Sequence, residues 1–356
     1  MNRNDLERQF HDLSPQGSWK TLVLEGHPGS KPVDSFLAEV FGGEAVQETD
    51  DVHIHQVETG SVRFTVDSLD DRFWSFHTNG LVGEARAILR AAVNRRRDLD
   101  FVWLPSAHLQ AIERLGQTRW IKTEFRGQEY LSGDDDVNDL SVMVRGRRAQ
   151  ALLDLIATQP DHTYTVCLNQ LGVLAADDHL GTVDEAVTRQ GTFLAKGDSF
   201  PLHQEIISGA VRRYRRLVEM AERFAIGFDP IGDPDDPSGG QMEGGPIEFS
   251  FSRPLPDFDM FLSHLLSARE PFRLWGVPEK ITSDFAEVEA VDLHIGERLR
   301  LEMSSKMLRV ILRRGSCGNS VVRLVSNLQR HVDGALAAVD PAFQAEICAE
   351  DRLVGV

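Results

Sequence analysis

Cysteine is almost absent from this chain. Three occur in 356 residues, Cys167, Cys317 and Cys348, an odd number with no paired spacing. That excludes a disulfide framework and a cysteine-rich zinc module, and it fits a reducing compartment. Long apolar runs are absent too, since none approaches the roughly 18 residues of a spanning helix. The opening MNRNDLERQFHDL is charged from its first residues and lacks the apolar stretch of a secretory signal or membrane anchor. The expectation is a soluble, cytoplasmic protein with no membrane partner. Lysine is scarce, six residues against 32 arginines, and arginine is the better residue for bidentate and interface contacts. Positive charge is in deficit overall, the net value being −17. This excludes non-specific attraction of phosphate backbones to the whole surface, while leaving room for local basic faces.

What the chain does have is apolar material, 41% of its residues, enough at this length for two or three cores. The segment Asp229 to Pro246, DPIGDPDDPSGGQMEGGP, holds five acidic residues and almost nothing to bury, so it reads as a flexible linker or exposed loop. Ser132 to Asp139, SGDDDVND, is a weaker break. The expected units are an N-terminal module at 1–131, a middle module at 140–228 and, after the 229–246 linker, a C-terminal module at 247–356. In the last, alternation predicts strands over 247–252, 291–295, 299–303 and 308–312, and apolar stripes predict helices from Phe258 and over 321–339. The middle module predicts a strand at 140–144, a helix at 149–157, strand-rich stretches at 164–175 and 185–196, and a long helix over 202–226. The first predicts strand 21–25, helix 33–41, a hairpin over 52–66, strand 73–77 and helix 83–96. The class is α+β, tandem antiparallel sheets each covered by helices in strand, helix, strands, helix order.

Within the middle module, GTFLAKGDSFPLHQEIISGAVRRYRRLV at 191–218 runs a short strand into a glycine and then into a long, arginine-rich helix. It resembles the end of one half of a TATA-binding-protein-like repeat, a TBP-like or helix-grip-like module. The resemblance implies a curved sheet roofed by the helix, with an open face set against nucleic acid or a docked protein. Paired phenylalanine wedges for minor-groove insertion are lacking.

Residues that carry chemistry gather in few places. GSCGNSVVRL at 315–324 sets Arg323 six positions after Cys317, the spacing of a phosphate-gripping thiol loop in which a helix terminus lowers the thiol pKa and the arginine clamps two oxygens. Such loops place a histidine before the cysteine, a glycine three after it and a hydroxyl after the arginine; here Ser316, Ser320 and Leu324 stand instead. The expected role is a tight turn with Asn319 or Ser320 as helix cap, able to bind an anion, with Cys317 and Arg323 as the catalytic candidates. GHPGSK at 26–31 has two residues between its glycines where a nucleotide-hydrolase phosphate loop has four, and Pro32 follows its lysine, so it reads as a helix start. His53 and His55 share a strand face, as do Asp292 and His294, which is metal-ligand geometry. The alternation also makes them ordinary solvent-facing residues, so no metal and no cofactor are expected.

The polar face of the last sheet gathers Arg298, Arg300, Arg309 and Arg313 with His294 among them, and Arg212 and Arg216 stud the long middle helix. In so acidic a chain, these faces point to an acidic or phosphate-bearing partner. The function expected from the sequence is a non-catalytic binding or scaffold protein of a larger assembly, contacting a protein partner, or a nucleic acid or nucleotide. The alternative is an enzyme acting on a phosphorylated or nucleotide substrate, with its anion site at 315–320.

Overall fold

A computed structural model describes residues 2–12, 17–47, 49–127, 130, 139–146, 148–149, 151, 167–230 and 240–349. The chain opens with α1 (Arg3–His11), followed by β1 (Trp19–Gly26), α2 (Val33–Phe41), β2 (Val46–Gln47), the hairpin β3 (Ile54–Thr59) and β4 (Val62–Asp67), β5 (Phe73–Thr78), α3 (Val82–Arg95), β6 (Leu99–Phe101) and α4 (Ser106–Gln110). Then come β7 (Gln117–Phe125), β8 (Leu140–Arg145), β9 (Cys167–Asp177), β10 (Gly181–Thr188) and β11 (Thr192–Gly197). These eleven strands form one sheet, in the order β2-β3-β4-β5-β1-β11-β10-β9-β7-β8 with β6 also on β1. Trp19 to Leu22 of β1 pair with Ala195 to Thr192 of β11, while Leu24 to Gly26 pair with Phe101 to Leu99 of β6. One edge of β1 thus serves two neighbours, and the stretches expected as a first and a middle module share a sheet.

Helix α5 (Phe200–Arg223) starts at Ser199, whose side chain accepts from Leu202 N. Its buried stripe of Ile206, Ala210, Tyr214, Leu217, Val218 and Ala221 joins the main core at helical spacing. The segment expected as a linker begins and ends in a two-stranded ladder, β12 (Gly227–Pro230) with β13 (Gly240–Glu243); its residues 231–239 lie outside those described. So do almost all of the helix expected over 149–157 and the break expected at 132–139.

The C-terminal part holds β14 (Ile247–Ser250), α6 (Phe258–Leu265), β15 (Leu274–Thr282), β16 (Phe285–Asp292), β17 (Arg298–Ser304), β18 (Met307–Ile311), α7 (Asn319–His331), β19 (Ala337–Ala338) and α8 (Pro341–Ile347). Its six strands run β15-β16-β17-β18-β14-β19, and all these ladders are antiparallel. The α+β class expected from the pattern is the class observed. Two boundaries differ in ways that matter. The strand expected at 291–295 ends at Asp292, because Ile295 (φ 58) and Gly296 (φ 83) turn the chain in the left-handed region. The helix expected to reach 339 stops at His331, where Asp333 turns back to bind Ser252 N and Oγ. Among the described residues, no helix is long and apolar enough to cross a membrane.

Candidate metal centre

Strand β1 is buried along its whole length. Leu22 and Leu24 face the core under α2 and α3, while Trp19 and Val23 face the core shared with α5 and the C-terminal sheet. Period-two alternation puts Glu25 on that second, shared side. A carboxylate there must find partners, because burying it unpaired costs several kcal/mol.

Four groups supply them. His27 leaves the end of β1 with its backbone N–H donating to Asp98 O at 2.9 Å. His294 is turned inward by the bend at Ile295 and Gly296, its ring is fully buried, and its backbone N–H donates to Asp292 Oδ1 at 3.1 Å. Cys317, 3% exposed, lies in the turn that enters α7. Arg72 arrives from the loop before β5, donating from Nε to Glu25 and from Nη2 to Cys317 Sγ at 3.2 Å. Glu222, in the last turn of α5, holds the other side of Arg72 at 2.6 Å and accepts Gly318 N at 3.0 Å.

The ligand-type atoms are closely spaced. His27 Nε2 is 3.3 Å from Glu25 Oε1 and His294 Nε2 is 3.2 Å from Glu25 Oε2. Cys317 Sγ is 3.4 and 3.5 Å from the two Glu25 oxygens and 3.7 Å from His27 Nε2. All four residues offer an atom within 4.8 Å of every other. Bonds of about 2.0–2.3 Å at a tetrahedral ion separate its ligand atoms by about 3.3–3.7 Å, close to the 3.2–3.7 Å contacts just given, which involve both oxygens of Glu25. A nucleophile relay would look different, since its carboxylate binds the imidazole nitrogen that faces away from the thiol. Here the carboxylate and the thiol meet the same nitrogen of His27.

Burial opposes ionisation of Glu25, yet hydrogen bonds from His27 and His294 and the charges of His294 and Arg72 hold its carboxyl well below the usual range. Burial, reinforced by the Glu25 charge, pushes the Cys317 thiol well above its ordinary value, against the pull of Arg72. Burial thus disfavours the thiolate that a phosphatase nucleophile and a metal ligand both require. Arg323 is also turned away from it. Its guanidinium is fully buried, paired with Asp100 and Asp292, so it is not offered to a phosphate at the loop.

Above Cys317 opens a cleft of about 570 Å³, lined by His27, Glu222, Arg223, Ala225, Glu243, Ile295, Arg314, Gly315, Ser316 and Cys317. The helix-cap residues expected to meet an anion are absorbed into packing. Asn319 Nδ2 donates to Phe101 O at 3.3 Å, Ser320 Oγ donates to Asp292, and α7 is capped by Gly318 without a side chain. His294, expected on a solvated strand face, is as fully buried as Glu25. His55, expected beside His53 in solvent, is 7% exposed and bonded to Ser68 Oγ at 3.1 Å, while His53 is exposed. Among the described residues the metal-type cluster is the one at Glu25, and the His53/His55 pair is no part of it.

The expected arginine face exists, but its charges are matched within the chain. Arg300 meets Glu287 at 2.6 Å and Arg309 meets Glu248 and Glu302 at 2.8 Å each. Arg313 is 3.2 Å from Glu289 and Arg216 is 3.6 Å from Glu346. Arg298 and Arg212 are exposed.

Gly318 is where a small change should reach the centre. A Cβ there would run into the Val218 carbonyl and crowd Glu222 Cγ at 3.1 Å. Gly318→Ala should therefore push the Cys317 turn off α5, costing roughly 1–3 kcal/mol. A urea midpoint unchanged from the wild type would contradict this packing.

The family model for MJECL33-like proteins matches residues 3–342. The chain belongs to the MJECL33-like family. The uncharacterized protein MJECL33 of Methanocaldococcus jannaschii is 24% identical, over 94% of this chain and 90% of its own length. No solved structure matches. The family match spans all four ligand-type residues, Glu25, His27, His294 and Cys317.

Proposed function

We propose that this MJECL33-like protein is a metal-dependent enzyme of hydrolytic type, holding a zinc-class ion through Glu25, His27, His294 and Cys317. The observation that carries the reading is the convergence of a carboxylate, two imidazoles and a thiol, each offering an atom within 4.8 Å of every other, with His27 and Cys317 reaching the wall of a cleft. The donor set of one sulfur, two nitrogens and one oxygen suits a borderline-soft divalent ion. Arg72 supports it from behind, donating to Glu25 and Cys317, and Glu222 fixes Arg72, as outer hydrogen-bonding groups do in metal sites. Four protein ligands fill a tetrahedral ion, so a water would bind only if the ion expanded to five-coordination, and its pKa would then fall toward neutrality. His27, whose side chain is 29% exposed, borders the cleft, so solvent and substrate have a route to the centre that a closed structural site would lack.

The scaffold reading, in which arginine faces dock an acidic or nucleic-acid partner, has less support. Arg300, Arg309 and Arg313 already have glutamate partners, and exposed pairs of this kind exchange one partner for another with little gain. The same applies to nucleic-acid contact by an open TBP-like sheet.

Metal analysis of the purified full chain should find about one zinc-class ion per protein. Cys317→Ser and His294→Ala should each bind it at least tenfold more weakly, because each removes a ligand of a four-ligand set. Wild-type protein that takes up no stoichiometric zinc or cobalt would refute the proposal.

A further inference from the structure

We infer that the protein binds one small monovalent anion of the chloride class in a buried cavity between the large sheet and α7. Behind this stands a buried cation without a counter-charge. Arg189, in the turn between β10 and β11, is 5% exposed. Burial and the charge of Arg330 pull its pKa down to about 9, and it is still protonated at neutral pH. Its hydrogen bonds go to neutral oxygens, from Nη1 to Ser326 O at 3.3 Å and Ser326 Oγ at 3.4 Å, and from Nη2 to Asn327 Oδ1 at 2.6 Å. The guanidinium lies over the Trp103 ring, 5.1 Å from its centroid, and among the described residues no carboxylate pairs with it. A buried charge left in this way is costly, so such groups are found paired. A second cation lines the same cavity of about 10 Å³, Arg330 of α7, and its Nε is buried with no hydrogen-bond partner. Glu124, the carboxylate on the wall, does not offset the two, because it is shared between Arg330 at 2.6 Å and Lys122 at 2.5 Å. Three cations thus stand against one anion, and the surplus falls on Arg189. Neutral donors complete the lining. Ser106 Oγ accepts Leu168 N at 2.9 Å, which leaves its O–H to donate, and Gln329 Oε1, buried and unpartnered, gives way to an N–H when the amide is flipped. A cavity of this size holds one particle about as large as a water. Phosphate and sulfate are too large for it, and a water would leave the charge unmatched. An anion here would tie β7 and β9 of the large sheet to α7.

The test compares urea unfolding of the full-length protein in sodium chloride and in sodium gluconate at equal ionic strength, gluconate being too large to enter. In the wild type, each tenfold rise in chloride above its dissociation constant should raise the folding equilibrium constant about tenfold, while gluconate should have no such effect. Arg189→Met, which keeps an apolar stem of similar reach and removes the charge, should unfold alike in the two salts. Should that variant fail to fold, wild-type protein crystallised from bromide decides, with one anomalous peak expected between Arg189 and Arg330. A wild-type midpoint equal in both salts, a chloride dependence that persists in Arg189→Met, or a cavity that holds only water in the bromide crystals overturns the inference.

Discussion

Replacing Arg323 with alanine is expected to cost roughly 3–5 kcal/mol of folding stability, the toll of breaking a buried ion pair from one side. Its guanidinium ties Asp100 on β6 to Asp292 at the end of β16 and donates from Nε to Phe272 O at 3.0 Å. The two carboxylates belong to different sheets, so this side chain is the charged link between them. Burial would raise the pKa of Asp100, but the charges of Arg323, His294 and Arg273 outweigh it and hold the carboxyl below its ordinary range. Without Arg323, two buried carboxylates would face each other with Arg273, 3.1 Å from Asp100, as the remaining arginine partner. Urea unfolding of Arg323→Ala and Arg323→Met checks this. Combining Arg323→Met with Asp100→Asn and Asp292→Asn should recover part of the loss, because the stranded charges are then gone. Variants as stable as the wild type would show that the pair contributes nothing.

The second large effect is acid sensitivity above the range in which carboxylates titrate. Burial, with the charge of His203 added, lowers His77 to about 3. Burial, together with the nearby Arg189 and Arg330 charges, lowers His331 to about 3, and burial lowers His108 to about 4. Each is neutral when folded and titrates near 6.5 when unfolded. The unfolded chain therefore binds more protons as pH falls, and folding loses roughly 1.4 kcal/mol per pH unit for each histidine. Their contribution is complete above about pH 6.5 and drains away as pH falls toward 4. Denaturant midpoints at pH 7.5 and 5.0 should differ sharply, and less so in His108→Gln. A midpoint that does not move between these values would rule out neutral burial of the three rings.

His77 belongs to a continuous polar chain inside the large sheet. Glu185 Oε2 accepts from His203 Nδ1 at 2.7 Å, His203 Nε2 is 2.8 Å from Thr21 Oγ1, and Thr21 Oγ1 is 2.8 Å from His77 Nδ1. Burial pushes the Glu185 carboxyl up. Trp19 Nε1 donates to His77 Nδ1 at 3.3 Å, so that ring nitrogen accepts and Thr21 Oγ1 donates to it, while His77 Nε2 is buried with no hydrogen-bond partner among the described residues.

Local pattern was legible where local forces decide. Helix α2 begins and ends as expected over 33–41, because its apolar positions recur at helical spacing and Pro32 precedes it. The alternation of Leu299, Leu301 and Met303 against Arg300 and Glu302 fixed both the strand and its two faces. His294 was misread by the same rule, since alternation carried through a glycine turn that reversed the ring's direction. Glu25 held the missed signal. It is an acidic residue at a core-facing position of an apolar strand, two residues before a histidine and next to the glycines of GHPGSK.

By itself, the sequence determined the α+β class, most strand and helix positions, and the presence of arginine faces on the last sheet and on α5, because these follow from periods of 2 and 3.6 residues. Only the tertiary structure decided that β1 and β11 join one sheet, that glutamates neutralise the arginines, and that residues 25, 27, 294 and 317 converge. Period and propensity extend over one element at a time, whereas a centre assembled from opposite ends of the chain depends on how one sheet is set against another.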